Sequence, residues 1–110
     1  GQAFIKPLYT LEDAEASLKL FKGVAYGDEM TVASGLTLRF FDAGHILGSA
    51  IVELTYTEDS NSRTLVFSGD LGYRDAPVMD PPAALPQADT VLLESTYGDR
   101  LHRPFDKTME

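Results

Sequence analysis

The order of apolar and polar residues changes character once along the chain. Leu11, Ala14, Leu18 and Phe21 recur at three- and four-residue spacing, which predicts an amphipathic helix running to about Lys22. Thr10 before Leu11-Glu12-Asp13 supplies an N-cap with an acidic first turn, and Gly23 a C-cap. From there the period is two. Met30–Ala33 predicts a short strand, Ser34-Gly35 a tight turn and Leu36–Phe41 the returning strand. Thr37-Leu38-Arg39-Phe40 alternates as a sheet with one wet face does. Ala50–Thr57 alternates too, and Glu58–Ser62 reads as a polar turn. Thr64–Phe67 and Thr90–Leu93 are short apolar runs that predict buried strands. The segment Tyr73–Ala88 holds four of the six prolines and predicts a surface connection; Arg100–Glu110 is a polar tail. The class is α+β: one N-terminal helix, then a mostly antiparallel or mixed sheet.

Three of these strands end in polar residues beside glycine. They are Asp42-Ala43-Gly44-His45, Ser68-Gly69-Asp70, and Glu94-Ser95-Thr96-Tyr97-Gly98. Polar groups gathered at strand ends, on loops held by a rigid sheet, are a common way to build an active site. His45, between Gly44 and Gly48, reads either as a loop histidine bonded to backbone or as an imidazole presented to a metal. Asp70 ends an apolar strand, as a turn aspartate or as a metal-bound carboxylate. Glu94 reads as a ligand, as a group orienting a catalytic histidine, or as a loop ion pair with Arg100. Its carboxylate emerges beside Asp70 if the two strands are parallel neighbours. His102 reads as a solvent-facing histidine.

Composition narrows the classes. The chain has 110 residues, within the range of one domain. It lacks cysteine, which removes disulfides and thiolate metal sites and suits the cytoplasm. No apolar run approaches the roughly 20 residues needed to span a bilayer. A net charge of −8 argues against a phosphate-binding surface, with one exception: a divalent-cation site needs carboxylates, and its local charge reverses when the metal binds.

In chain order, the segments around His45 (residues 42–50), Asp70 (67–72) and Glu94 (94–100) resemble the motifs of the β-CASP branch of the metallo-β-lactamase-fold nucleases. The similarity is to the RNA-processing members: the cleavage-and-polyadenylation endonuclease and its prokaryotic homologues. It runs from about Pro7 to His102, and glutamate at position 94 suits that branch better than the DNA-repair one. The resemblance implies that His45 is a ligand to one zinc and Asp70 a ligand bridging two. It also implies that Glu94 is the acidic residue that pairs with a leaving-group histidine. Two zincs about 4 Å apart generate a hydroxide near neutral pH and stabilise in-line attack on a phosphodiester.

The His-x-His-x-Asp-His motif that supplies most of the zinc ligands in such proteins is not in this sequence. The expectation is therefore that residues 1–110 are a partial domain, the β-rich half or so of an αββα sandwich. The His-rich motif would lie before Gly1 and the β-CASP insertion after Glu110. Alone, the chain is expected to hold zinc weakly or not at all, to be inactive on RNA, and to self-associate through exposed apolar sheet. Three other readings stay open: a lactonase- or thioesterase-like hydrolase on the same fold, a non-catalytic β-CASP paralogue, and a plain β-rich binding module.

Overall fold

A computed structural model describes residues 7–74, 76–85 and 87–100. His102 and most of the polar tail lie outside the described residues. The chain runs α1 (Leu11–Leu18), β1 (Glu29–Ala33), β2 (Leu36–Asp42), β3 (Ala50–Glu58), β4 (Asn61–Phe67) and β5 (Thr90–Leu92). The five strands form one mixed sheet in the order of the sequence. β1 to β4 pair antiparallel in a meander, and β5 adds parallel to β4, with Val66 opposite Val91.

The helix starts as its sequence predicts. Thr10 Oγ1 accepts the Asp13 amide at 3.3 Å, and the Asp13 carboxylate accepts the Thr10 amide at 2.9 Å. It stops four residues short of Lys22, with Lys19 as its C-cap. Beyond Leu18 the chain continues in turns closed by i→i−3 bonds, such as Leu20 N–H to the Ser17 carbonyl at 2.9 Å. Among the described residues the contacts between elements run only from strand to strand, so α1 packs on none of them. Leu11 and Leu18 consequently stay exposed, and a helix without tertiary packing has little to sustain a third turn.

Hairpin geometry also revises the polar turn. Asp59 and Ser60 both take positive φ, 48° and 67°, the conformation of a two-residue loop matched to strand twist. The strands therefore extend inward to Glu58 and Asn61, which face each other.

Cross-strand register sorts the side chains onto two faces. One face aligns Met30, Leu38, Phe40, Val52, Leu54, Leu65, Phe67 and Leu92. None of these is fully buried. The other face carries Glu29, Arg39, Glu53 and Val66 in one cross-strand row, with Phe41 and Ile51 in the next row on that face. Arg39 bonds Glu29 at 3.1 Å and Glu53 at 3.3 Å, so the buried Glu53 carboxylate is paired rather than stranded. Ile51 and Val66 form the core with Ala43, and Leu71, Leu85 and Ala88 pack over them. The proline-rich connection is thus less superficial than its composition predicts. It folds back over the strand ends, where the Ala83 amide bonds the Asp42 carbonyl at 2.9 Å.

β4 and β5 are the main departure. Both read as buried strands, yet Val91 and Leu92 are more than half exposed and Val66 alone is buried in β4. An all-apolar run signals cover on both faces, and no described element covers the apolar face. A radius of gyration of 19.2 Å agrees, against about 13 Å for a compact chain of this length.

Candidate metal and phosphodiester site

β2, β4 and β5 run in one direction, because β3 returns antiparallel between β2 and β4 and β5 joins β4 in parallel. Their C-terminal ends therefore share one end of the sheet. This brings together the three glycine-flanked polar segments: His45, Asp70 and Glu94 line a single hollow of about 400 Å³ with Leu71, Tyr73, Thr96 and Tyr97.

The loop carrying His45 is built around Ser49. The Ser49 hydroxyl accepts the His45 and Ile46 amides, both at 3.2 Å. Its carbonyl accepts the Tyr26 hydroxyl at 2.7 Å and the Ala43 amide at 3.3 Å. Asp42 Oδ1 accepts the Gly44 amide at 2.8 Å. Gly44 sits at φ 63°, and a Cβ there would meet the Asp80 carbonyl oxygen at 2.5 Å. The imidazole is left exposed at the rim.

Asp70 and Glu94 are held by one another's segments. Ser68 extends the parallel pairing past β4, its amide donating to the Leu92 carbonyl at 2.9 Å. The buried Ser68 hydroxyl accepts the Glu94 amide at 2.9 Å and donates to the Gly69 carbonyl at 2.7 Å. In return Glu94 Oε1 accepts the Leu71 amide at 2.7 Å, and Oε2 accepts the Thr96 amide at 3.3 Å. The carboxylate thus grips the backbone next to Asp70. Gly72 closes the ring, its amide bonding the Ala43 carbonyl at 2.7 Å. Asp70, expected at a buried strand end, is exposed and free to face a ligand. The Glu94–Arg100 ion pair does not form; Arg100 pairs with Asp99 at 3.0 Å. Ser49 and Tyr26 are not singled out by the sequence, and Ser68 is legible there only as a polar residue at a strand end. A serine following each glycine turn or ending a strand was the available signal, but small hydroxyls in loops are too common for it to stand out.

The Thr96 hydroxyl, then the Leu71 amide, hold the Glu94 carboxyl below the usual carboxylate range, with a smaller contribution from nearby His45. A depressed folded-state pKa means the clamp is intact above the ordinary glutamate value and is lost as pH falls through the lowered one. The Leu71 amide is therefore expected to shift and lose exchange protection only in that acid range, on NMR titration. Loss of protection nearer neutral pH would contradict the clamp.

The donor set at this end fits a divalent cation in part. An imidazole and an unshielded carboxylate share one hollow, but a catalytic zinc takes three protein ligands. Among the described residues no group of three or more histidine, aspartate or glutamate side chains is placed to hold a metal. No helix among them is long and apolar enough to cross a membrane.

No family model matches the chain. Curated proteins do. Ribonuclease TTHA0252 of Thermus thermophilus is 42% identical over 104 residues, covering 94% of this chain and 23% of its own length. Transcription termination factor FttA of Thermococcus kodakarensis is 30% identical over 95 residues, 86% of this chain and 14% of its own. An RNase J-like protein of Methanocaldococcus jannaschii is 28% identical over 104 residues, 93% of this chain and 24% of its own. The chain spans about a quarter or less of the length of these relatives. With three motifs in the expected order, meeting at one end of an α+β, strand-rich sheet, the chain is a homologue of β-CASP RNA nucleases and matches about a quarter or less of their length.

Proposed function

We propose that this chain is the part of a zinc-dependent RNA-processing nuclease that carries two of its metal-binding groups, His45 and Asp70, and the acidic residue Glu94. The convergence of these three residues in one hollow is the observation that carries the reading. The names of the relatives, a ribonuclease and an RNase J-like protein, support RNA as the substrate. His45 would give one metal a neutral imidazole nitrogen from a loop fixed by Ser49. Asp70 would give the metals a carboxylate from a segment fixed by Glu94. Bound zinc would supply Lewis-acid activation of water and of the phosphodiester. Glu94, ionised and occupied by two amides, cannot itself donate a proton to a leaving group. It is suited to holding Asp70 in place and to pairing with a leaving-group histidine supplied from outside these residues.

The remaining ligands would come from sequence outside these 110 residues. A protein that includes them is expected to cleave single-stranded RNA, to lose that activity on chelation and to regain it with zinc. Cleavage that survives exhaustive chelation would overturn the metal dependence. The 110-residue chain by itself is expected to be inactive, and metal-dependent RNA cleavage by the purified chain would contradict that.

The uncovered apolar face gives a further expectation for the isolated chain. Phe67, Leu92 and Leu93 are each at least half exposed there or beside it, so the chain is expected to self-associate. Light scattering at rising concentration should show mass growing beyond the monomer, and a monodisperse monomer would count against it.

A further inference from the structure

We propose that Tyr73 and Tyr97 form a stacking subsite for one unpaired nucleobase of an RNA strand, next to the hollow that holds His45 and Asp70. The inference rests on the nuclease reading and deepens it. A second hollow of about 350 Å³ adjoins the first, a size within the range of small-ligand pockets. The two share Leu71, Tyr73, Glu94, Thr96 and Tyr97, and Leu93 lines the second alone. Both tyrosines therefore stand between the hollow of the candidate metal ligands and a more apolar one, each 54% exposed.

Charge decides what such a hollow can take. Asp70, Glu94 and Asp99 surround this end of the sheet, and the chain carries a net charge of −8. Arg100 lies 6.0 Å from the Tyr97 ring centroid, but its guanidinium is paired with Asp99. Among the described residues Arg74, next to Tyr73 in the chain, is the other nearby cation, so phosphates find few groups to neutralise them here outside the metal site itself. A nucleobase is neutral and flat, and it stacks on tyrosine without needing a cation. With a phosphodiester over His45 and Asp70, the base of an adjacent nucleotide would fall in the second hollow. Affinity on this side of the strand would then come from the base, while its charge would be met by the metals.

The test uses the full-length, zinc-loaded protein with strands whose linkages resist hydrolysis, so that binding is read without cleavage. Fluorescein-labelled single-stranded oligoribonucleotides carry one abasic position, walked along the strand. One position is expected to cost about tenfold or more in affinity. Tyr97→Leu should lose a similar factor on the intact strand and little more on the sensitive abasic strand. Tyr97→Phe should stay within about twofold, because the ring is retained. Equal affinity for Tyr97→Leu, or an equal loss on intact and abasic strands, would overturn the subsite. If Tyr97→Leu does not fold by circular dichroism, the abasic series on the unsubstituted protein decides, and uniform affinity at every position overturns the proposal. Zinc-loaded cleavage assays separate the two readings. A protein that binds with the abasic signature but never cleaves refutes the nuclease and leaves the subsite. Cleavage without that signature does the reverse.

Discussion

Replacing Asp70 by asparagine is expected to lower RNA cleavage by the full-length protein by more than about 100-fold, since loss of an outer-shell partner alone costs about 10- to 100-fold at metal sites. The substitution keeps the shape and removes the charge. Asp70 is exposed, and its segment is held by backbone bonds through Ser68, Leu71 and Gly72, so the fold should be untouched. Bound zinc, measured by elemental analysis, should fall together with the activity, while the unfolding midpoint stays in place. Full activity in the asparagine protein would remove Asp70 from the site. Loss of activity with zinc fully retained would leave it a role other than ligand.

The largest effect on stability is expected at Gly72. A Cβ there would run into the Gly44 carbonyl, and His45 N lies only slightly farther away. These are backbone atoms, which cannot swing aside as a flexible side chain would. Gly72→Ala is therefore expected to cost about 3 kcal/mol, at the upper end of overpacking penalties. It should also loosen the bond from the Gly72 amide to the Ala43 carbonyl, the link between the His45 loop and the Asp70 segment. Gly23→Ala is the control, because nothing lies within 4 Å of the added methyl. Urea denaturation of the two variants in the full-length protein checks the contrast. Similar midpoints would mean that the two loops do not approach as closely as described.

Much of this arrangement is legible in the sequence, and the failures share one cause. Strand-period alternation in β2 and β3 and the Thr10 cap are local signals, and the structure realises them nearly residue for residue. The juxtaposition of His45, Asp70 and Glu94 follows from strand direction, which short polar ends beside glycine suggest but do not determine. The apolar runs Leu65–Phe67 and Val91–Leu93 report the surroundings for which they are suited, buried on both faces. They predict burial even where the described residues provide cover on only one side. The helix is overextended for the same reason: Phe21 belongs to an apolar stripe with nothing beneath it. The Glu94 clamp was out of reach. Its partner is a backbone amide 23 residues away, and an amide has no signature in a sequence.

The sheet's two ends differ in a way that matters for handling the protein. All three chemistry-bearing segments leave from one end, while the hairpin turns Ser34-Gly35 and Asp59-Ser60 lie at the other. Asp59 and Ser60 are exposed, and Asn61 reaches back to the Asp59 carbonyl at 3.3 Å in a self-contained loop. A fluorophore, an epitope or an inserted peptide at residues 59–60 would hang from the far rim, the full length of β3 away from the hollow. That turn is the natural handle for immobilising or labelling the protein while its working end stays open.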